Sequence, residues 1–552
     1  MPHQSAISRF TRVIETAGGL YAPGHLGELT QHIPFELVDD VLERTGRVQQ
    51  RLRQLPSRIG VYLLLAAVLF PAVGYVRVWG KLVAGLGPLS IARPSEKALR
   101  DLRRRLGAAP LKLLFETLAG PVGRPTAPGV RYRRWRTVAL DGCSSIKAPD
   151  QPRVRGWLGK ILRPNGWDGY PMLRLMALCE TGTRSLLGAV FGPTRCGEAG
   201  YARRLLHLLD DSMLLLADRG FDSDGFLAQV ADTRAQLLIR LNGRRTPAVM
   251  TRLPDGSYLT RINGHTLRII EARIAATCDN GQQVIDSYRL ATTLLDHCAD
   301  PAAALVRLYH ERWEVESAFY ALRHTLLDGL VLRSRDPFGL EQELWAQLTV
   351  YQALRRSMAE ATDTDASLDP DRASFTIALE SAREQVITAQ GILPTSPGTG
   401  GIAQAVLAGL LPKRRARLSA RKVKSPLSRY NGNPADGRPL TSRAVTHLAI
   451  TLCAPQTDAA DQDTTVPVPF FHGGRGRRDQ AVQLLRTEAH RSWNAKEIAD
   501  HLAIDHYRSL CAQLGHWVKD GVLNRTGRGL YELTAEWRSP ATITDLPGRS
   551  TA

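Results

Sequence analysis

Residues 59–76, IGVYLLLAAVLFPAVGYV, run for 18 residues without a charge between Arg58 and Arg77. Such a run allows only two environments. It meets the minimum of about 18 residues for a helix that spans a bilayer, and it equally suits a helix buried on every side in a protein core. Pro71 and two glycines interrupt it. A proline inside a helix removes a hydrogen bond and clashes with the turn before it, so the expectation is a buried helical hairpin bent near Pro71. The rest of the chain offers no second run of this kind. Its 72 Lys and Arg against 53 Asp and Glu leave a formal charge of +19, which calls for a polyanionic partner: nucleic acid first, an anionic membrane surface second. Seven cysteines show no CxxC pair and no regular spacing, which excludes a disulfide framework or a zinc ribbon and fits reduced thiols. The opening MPHQSAISRF has no apolar core behind its arginine, so no secretory signal is expected. The chain is expected to be cytoplasmic, without a membrane partner.

A length of 552 residues implies several domains. Residues 1–130 read as helical, with FELVDDVLER, the apolar run and SEKALRDLRRRLG as helices. From RYRRWRTVALDG the pattern changes to strands. PMLRLMALCE and SLLGAVFG follow, then AGYARRLLHLLDD as a helix, SMLLLADRGF as a buried strand and SDGFLAQVAD as a helix. This alternation marks an α/β fold over 131–235. Residues 236–300 are β-rich, with Asn-Gly and Asp-Gly turns at 242, 255, 263 and 280, and read as an inserted β module. The chain is then helical over 301–390. A basic extension, 391–452, contains LPKRRARLSARKVKSPLSRY, suited to phosphate. A Pro- and Gly-rich linker, 453–479, leads to residues 480–540, where three helices and a hairpin around VLNRTGRGLYELT outline a winged helix-turn-helix.

Two aspartates follow apolar strands, Asp141 after VAL and Asp218 after LLLA; strand ends in an open α/β sheet are where sites collect. A third carboxylate, Glu316, lies in YHERWEVESAFYALRH, residues 309–324. On an ideal helix Tyr309, Arg312, Glu316 and Arg323 fall within roughly 60° of one another, beside an apolar stripe of Val315, Phe319, Leu322 and Leu326. Three carboxylates brought together repel unless divalent cations neutralise them. Oxygen ligands without Cys or His favour Mg²⁺, with Mn²⁺ as a substitute. Each aspartate alone also fits an ordinary turn cap, with Asp150, Asp210, Asp211, Asp222, Asp224 and Glu198 as nearby rivals, and Arg312–Glu316 fits a plain i,i+4 pair.

VALDG, LLLADRGF and Y-x2-R-x3-E-x6-R resemble the three blocks of IS4-family insertion-sequence transposases, which carry a DDE carboxylate set. GYPMLRLMALCETGT, GEAGYARRLL and LPSRIGVYLLLAAVLFPAVGYVRVW are similar to further family stretches, so the resemblance covers about residues 30–430. It implies a ribonuclease H-like core with a β-rich insertion, behind a helical N-terminal DNA-binding domain. Asp141, Asp218 and Glu316 would be the catalytic, metal-binding carboxylates; Tyr309, Arg312, Trp313 and Arg323 would contact DNA, Trp313 as an aromatic holding a displaced base. Arg323 stands where the family has lysine, which keeps the charge but changes its geometry. The insertion has no tryptophan, only Tyr258 and Tyr288, which weakens any base-stacking role for it. The implied activity is Mg²⁺-dependent cleavage of double-stranded DNA at the element's terminal inverted repeats and joining to target DNA, by a homodimer on paired ends in a bacterial, nucleoid-associated setting. Two rivals stand beside it: a domesticated, non-catalytic DNA-binding regulator, and another ribonuclease H-like nuclease.

Overall fold

The computed structural model describes residues 13–15, 21–49, 55–87, 89–160, 162–163, 166–167, 169–278, 281, 283–390, 401–412, 417–419, 442–453, 477–488, 490–502, 507–519, 522–527 and 529–535. Most of the basic stretch at 413–441, and the linker at 454–476, lie outside them. The chain divides into two compact units, residues 1–457 and 458–552.

The first unit begins with helices α1 (Phe35–Arg44), α2 (Ser57–Leu69), α3 (Tyr75–Val83), α4 (Glu96–Leu106) and α5 (Ala109–Leu118). Helix α2 is the first part of the apolar run, and all of its residues are buried. It stops at Phe70, and the chain turns through Pro71 into α3, as a proline at that point requires. No described helix is long and apolar enough to cross a membrane. Ser95 caps α4 by accepting from the Ala98 amide at 3.2 Å. This helix buries Leu99, Leu102 and Leu106, a spacing that leaves its arginines on other faces.

Strands β1 (Trp135–Lys147), β2 (Met172–Glu180) and β3 (Leu186–Pro193) form an antiparallel meander. Strand β4 (Met213–Ala217) then pairs in parallel with β1, and after α6 (Asp224–Asp232) strand β5 (Gln236–Arg240) pairs in parallel with β4. The strands lie in the order β3-β2-β1-β4-β5. Here the structure moves one element: Gln236–Arg240, placed by its sequence in the β-rich insertion, is a strand inside this sheet. Leu237, Leu238 and Ile239 are all buried, the continuous apolar run of a strand covered on both faces.

The β-rich stretch continues the same sheet. Strands β6 (Tyr258–Ile262), β7 (His265–Cys278) and β8 (Gln283–Thr292) are antiparallel, and β8 joins the edge of β5. Next come α7 (Ala302–Tyr309), α8 (Glu314–Tyr320), α9 (Pro337–Thr362) and α10 (Phe375–Thr388). The 309–324 segment, expected as one regular helix, changes pitch twice. A 3-10 turn, His310–Trp313, joins α7 to α8, and a π-helical segment, Ala321–Leu326, follows. Far along the chain, β9 (Ser442–Leu452) pairs with β7.

Side chains alternate across β1: Ala139 and Cys143 enter the core shared with α2, α8 and α9, whereas Val138 and Leu140 enter the core shared with α6. With that period of two, Asp141 lies on the face covered by α8. In the second unit, helices Arg477–Arg486, Ala495–His501 and Tyr507–Lys519 surround a core including Leu485, Trp493, Ile498, Leu510 and Leu514. Trp493–Asn494, Leu530–Leu533 and Leu523–Gly527 form its small antiparallel sheet.

Candidate active site

The parallel register of β1 and β4 pairs Leu140 with Ala217, so Asp141 and Asp218 are the next residues on neighbouring strands, whose axes run about 4.8 Å apart. Only one of the two strands ends there. The sequence suggested that Asp141 closes its strand, but β1 continues to Lys147, paired with β2 through Asp141↔Ala177. It is β4 that leaves: Asp218 Oδ1 accepts the Arg219 amide at 2.8 Å and starts the 3-10 turn Arg219–Phe221. The departure leaves Asp141 and Asp218 at the carboxyl end of the parallel pair, the usual place for an α/β site. Gly142 fits this spot because a Cβ there would lie 3.0 Å from Met176 Cε. Its amide donates to Asp141 Oδ1 at 2.7 Å.

Glu316 arrives on α8, and Arg312 ties it to the strand. The guanidinium lies 3.4 Å from Asp141 Oδ2 and 3.6 Å from Glu316 Oε1, on a residue only 2% exposed. Burial pushes the Asp141 carboxyl up to about 6, and Glu316 and Asp218 add to the rise, while Arg312 and the Gly142 amide hold it down. Burial works against the charge on Arg312, yet Tyr309 and the three carboxylates outweigh it and raise its pKa. The site is thus three acids sharing one interior cation. Their ligand atoms are not all within 4.8 Å of one another; among the described residues only Asp296, His297 and Cys298 form such a group, in a loop before α7. Oxygen donors from β1, the end of β4 and α8, with one acid reluctant to ionise without a cation, fit a divalent ion.

The residues expected at DNA divide into two kinds. Tyr309 is 2% exposed and donates its hydroxyl to the Ala217 carbonyl at 3.1 Å, pinning the end of α7 to the end of β4. Tyr288 packs edge-on against it with ring centroids 5.6 Å apart. Both Tyr288 and Tyr258 are buried, so neither tyrosine of the insertion offers a stacking face. Arg312 is buried among the acids, where the sequence had placed it on a DNA-facing stripe. Trp313 is half-buried and lies 4.8 Å from the Arg312 guanidinium carbon. Arg323 is half-buried on the π-helical segment. Four of the six rival carboxylates are engaged elsewhere: Asp222 by Arg245 and the Asn242 amide, Asp224 by Arg245, Asp150 by Arg155 and Lys160, and Asp210 by Ser212; Glu198, near Gly142, lies 3.7 Å from Arg174.

Sequence reading missed two features. Glu314 is held by Arg184 from the β2–β3 turn, and Arg184 also pairs with buried Asp371. Tyr351 adds a hydroxyl bond of 2.7 Å to the Arg184 carbonyl. This cluster anchors α8 two residues before Glu316, and partners so distant along the chain leave no local signal. Tyr320 is the second feature. It is 63% exposed, one turn after Glu316, and its ring lies against His324; its position four residues after Glu316 was the available clue.

Two known families match this chain. That described as "Insertion element 4 transposase N-terminal" matches residues 23–116, and that described as "Transposase DDE domain" matches residues 137–353, which hold all three carboxylates. The chain is 25% identical over 427 residues to "Transposase InsG for insertion sequence element IS4" of Escherichia coli (strain K12), covering 74% of this chain and 94% of that protein. It is 27% identical over 198 residues to "Putative transposase InsZ" of the same organism, covering 36% and 64%. A solved piggyBac transposase synaptic complex with hairpin DNA overlaps 74% of this chain and 87% of that one, at 8% identity and a TM-score of 0.36, too distant to add to the argument. Family matches and relatives agree: the chain belongs to the IS4-family DDE transposases.

Proposed function

We propose that this transposase binds the terminal inverted repeats of its element, cuts the DNA there and joins the ends to a target, with Asp141, Asp218 and Glu316 as its catalytic carboxylates. The observation that carries the assignment is the register of β1 and β4, which sets Asp141 and Asp218 side by side while Arg312 links Asp141 to Glu316. The strand order β3-β2-β1-β4-β5, with β2 alone antiparallel to its neighbours, supports a ribonuclease H-like core. Helices and hairpin in the second unit support a winged helix-turn-helix. A homodimer on paired ends is proposed from the family.

The three carboxylates would hold divalent ions, Mg²⁺ or Mn²⁺, which supply Lewis acidity at the phosphodiester and neutralise charge in an in-line displacement. The chain's own residues prepare that site. Tyr309 and the Arg184–Glu314 pair fix α8 against the sheet, so that Glu316 faces the two aspartates. Arg312 supplies positive charge beside them. Arg323 is proposed to reach a DNA phosphate and Trp313 a displaced base. In each step an oxygen nucleophile, water first and the freed 3′-hydroxyl second, forms a bond to phosphorus as the 3′ P–O bond breaks. The test is a gel shift beside a nicking assay on DNA carrying the inverted repeats that flank the gene. Asp141→Asn, Asp218→Asn and Glu316→Gln are each expected to bind end DNA and to nick it at less than about a tenth of the wild-type rate, a loss of over ~1.4 kcal/mol in the barrier. A triad variant that nicks faster removes that carboxylate from the site.

A further inference from the structure

Away from the carboxylates, the first unit carries a groove of 1560 Å³ walled by α3, α4, the Pro152–Leu158 helix and the start of α9. That exceeds the roughly 300–1,000 Å³ of a small-molecule pocket. Its lining includes seven arginines and only two acids, Glu96 and Asp336. Two of the arginines belong to the framework. Arg103 donates to Ser334 Oγ at 2.8 Å and lies 4.2 Å from the Tyr75 ring centre, and Arg333 donates to the Phe70 carbonyl. The other five, Arg77, Arg100, Arg104, Arg153 and Arg335, are exposed, and none pairs with a carboxylate among the described residues.

These five come from four separate elements: α3, α4, the Pro152–Leu158 helix and the loop before α9. Five guanidinium groups lining one groove with only two acids among them repel one another, a cost that a polyanion lying in the groove would remove. A second feature accompanies them. Phe338, at the start of α9, lines the same groove and is 78% exposed, more than any other large apolar side chain among the described residues. Water is a poor environment for a phenyl ring, whereas the face of an unstacked base is a good one. The groove also adjoins the catalytic strand. The Leu332 amide donates to the Lys147 carbonyl at 3.0 Å, and Lys147 ends the strand that carries Asp141, six residues and at most ~20 Å away.

We propose that this groove is a DNA-binding subsite in which the five arginines hold the phosphate backbone and Phe338 stacks on a base drawn out of the duplex. The proposal rests on the transposase reading and adds to it a second place where the DNA is held and distorted. Element-end DNA and target DNA share this chemistry, so the test separates them.

The experiment uses the full-length chain and two labelled duplexes of mixed sequence, one fully paired and one carrying a single unpaired 2-aminopurine. Binding is measured over a range of salt concentrations. The double variant Arg100→Ala/Arg104→Ala is expected to lower the slope of log K against log salt by about 2, at ~0.9 for each lost phosphate contact. Basic segments elsewhere contribute equally to wild type and variant and cancel in the difference. Phe338→Ala is expected to bind the paired duplex as wild type does, to lose about tenfold on the unpaired duplex, and to lose the quenching of 2-aminopurine; Phe338→Trp retains both. All three substitutions lie at the surface, and unchanged thermal unfolding checks the fold. Wild-type slope in the arginine variant, or wild-type affinity and quenching in Phe338→Ala, overturns the proposal. A second arm assigns the source. Loss of end nicking places the element end in the groove, whereas normal nicking with slowed joining of pre-cut ends places the target there; no effect on either step overturns the site. Because the binding measurements need no cleavage, they read the groove even if the protein fails to nick DNA.

Discussion

Replacing Asp141 by asparagine should destroy cleavage and, in the metal-free protein, increase stability. The magnitude follows from the burial of that carboxyl. At pH 7 a carboxylate titrating at its ordinary 3.8 gains about 4.4 kcal/mol by ionising, whereas one held at about 6 gains only about 1.4. The folded, metal-free chain therefore carries a handicap of about 3 kcal/mol from this one group. The folded-state pKa is raised, so the contribution of Asp141 favours folding below pH 4 and is lost as pH rises through about 6. Asparagine cannot ionise and should recover that loss in full above pH 6 and show no gain below pH 4. Thermal or urea unfolding in excess chelator, run at pH 4, 6 and 8, reads the difference directly. Adding a divalent ion at a hundred times its dissociation constant should then stabilise wild type by about 2.7 kcal/mol and the variant far less. An asparagine variant no more stable than wild type at pH 8, or a gain of the same size at pH 4, would refute the picture of a buried carboxylate waiting for a cation.

Arg312→Met leaves Asp141 and Glu316 without their interior cation and should cost about 1–2 kcal/mol at pH 7 in chelator, seen as a lowered unfolding midpoint, because Asp141, held at about 6, can take up a proton for about 1.4 kcal/mol. Arg184→Met breaks the pair that anchors Glu314 and should destabilise by about 3–5 kcal/mol, with nicking reduced but end binding retained on the surviving folded protein. Arg323→Lys should nick end DNA at near wild-type rate while Arg323→Ala does not, because a phosphate needs the charge and not the fork. Removing residues 458–552 should leave a soluble protein with metal-dependent nicking, since the three carboxylates all lie in the first unit; a folded but inactive truncation would count against that.

The parts of this structure that were legible in the sequence are those written in local pattern. The apolar run with Pro71 inside it is a buried helix and a turn. LLLA before Asp218 is a buried strand that ends there, and Arg312 and Glu316 face each other as their spacing of four requires. What escaped depends on partners far apart in the chain. Asp141 sits in mid-strand because β2 continues past the point where β4 turns away, and register between strands leaves no mark in either one alone. Arg312 is interior because it meets Asp141, a residue 171 positions earlier. Ideal 100° spacing also misplaced part of the 309–324 block, since a 3-10 turn and a π-helical segment shift every side chain after Tyr309. Gln236–Arg240 looked like insertion because β-rich sequence surrounds it, yet its three consecutive buried residues suit only a strand covered on both faces.

The central claim, that Asp141, Asp218 and Glu316 form one metal-dependent centre for joining DNA, is tested most directly by strand transfer. DNA carrying the element's end, already cut to a free 3′-hydroxyl, is incubated with the full-length protein, Mg²⁺ and a supercoiled plasmid, and joined products are counted. The account predicts joining by the wild-type protein that chelator abolishes and that each of Asp141→Asn, Asp218→Asn and Glu316→Gln reduces more than about tenfold, a change of ~1.4 kcal/mol, while end binding persists. Joining that survives in any of the three variants, or in chelator, would contradict it.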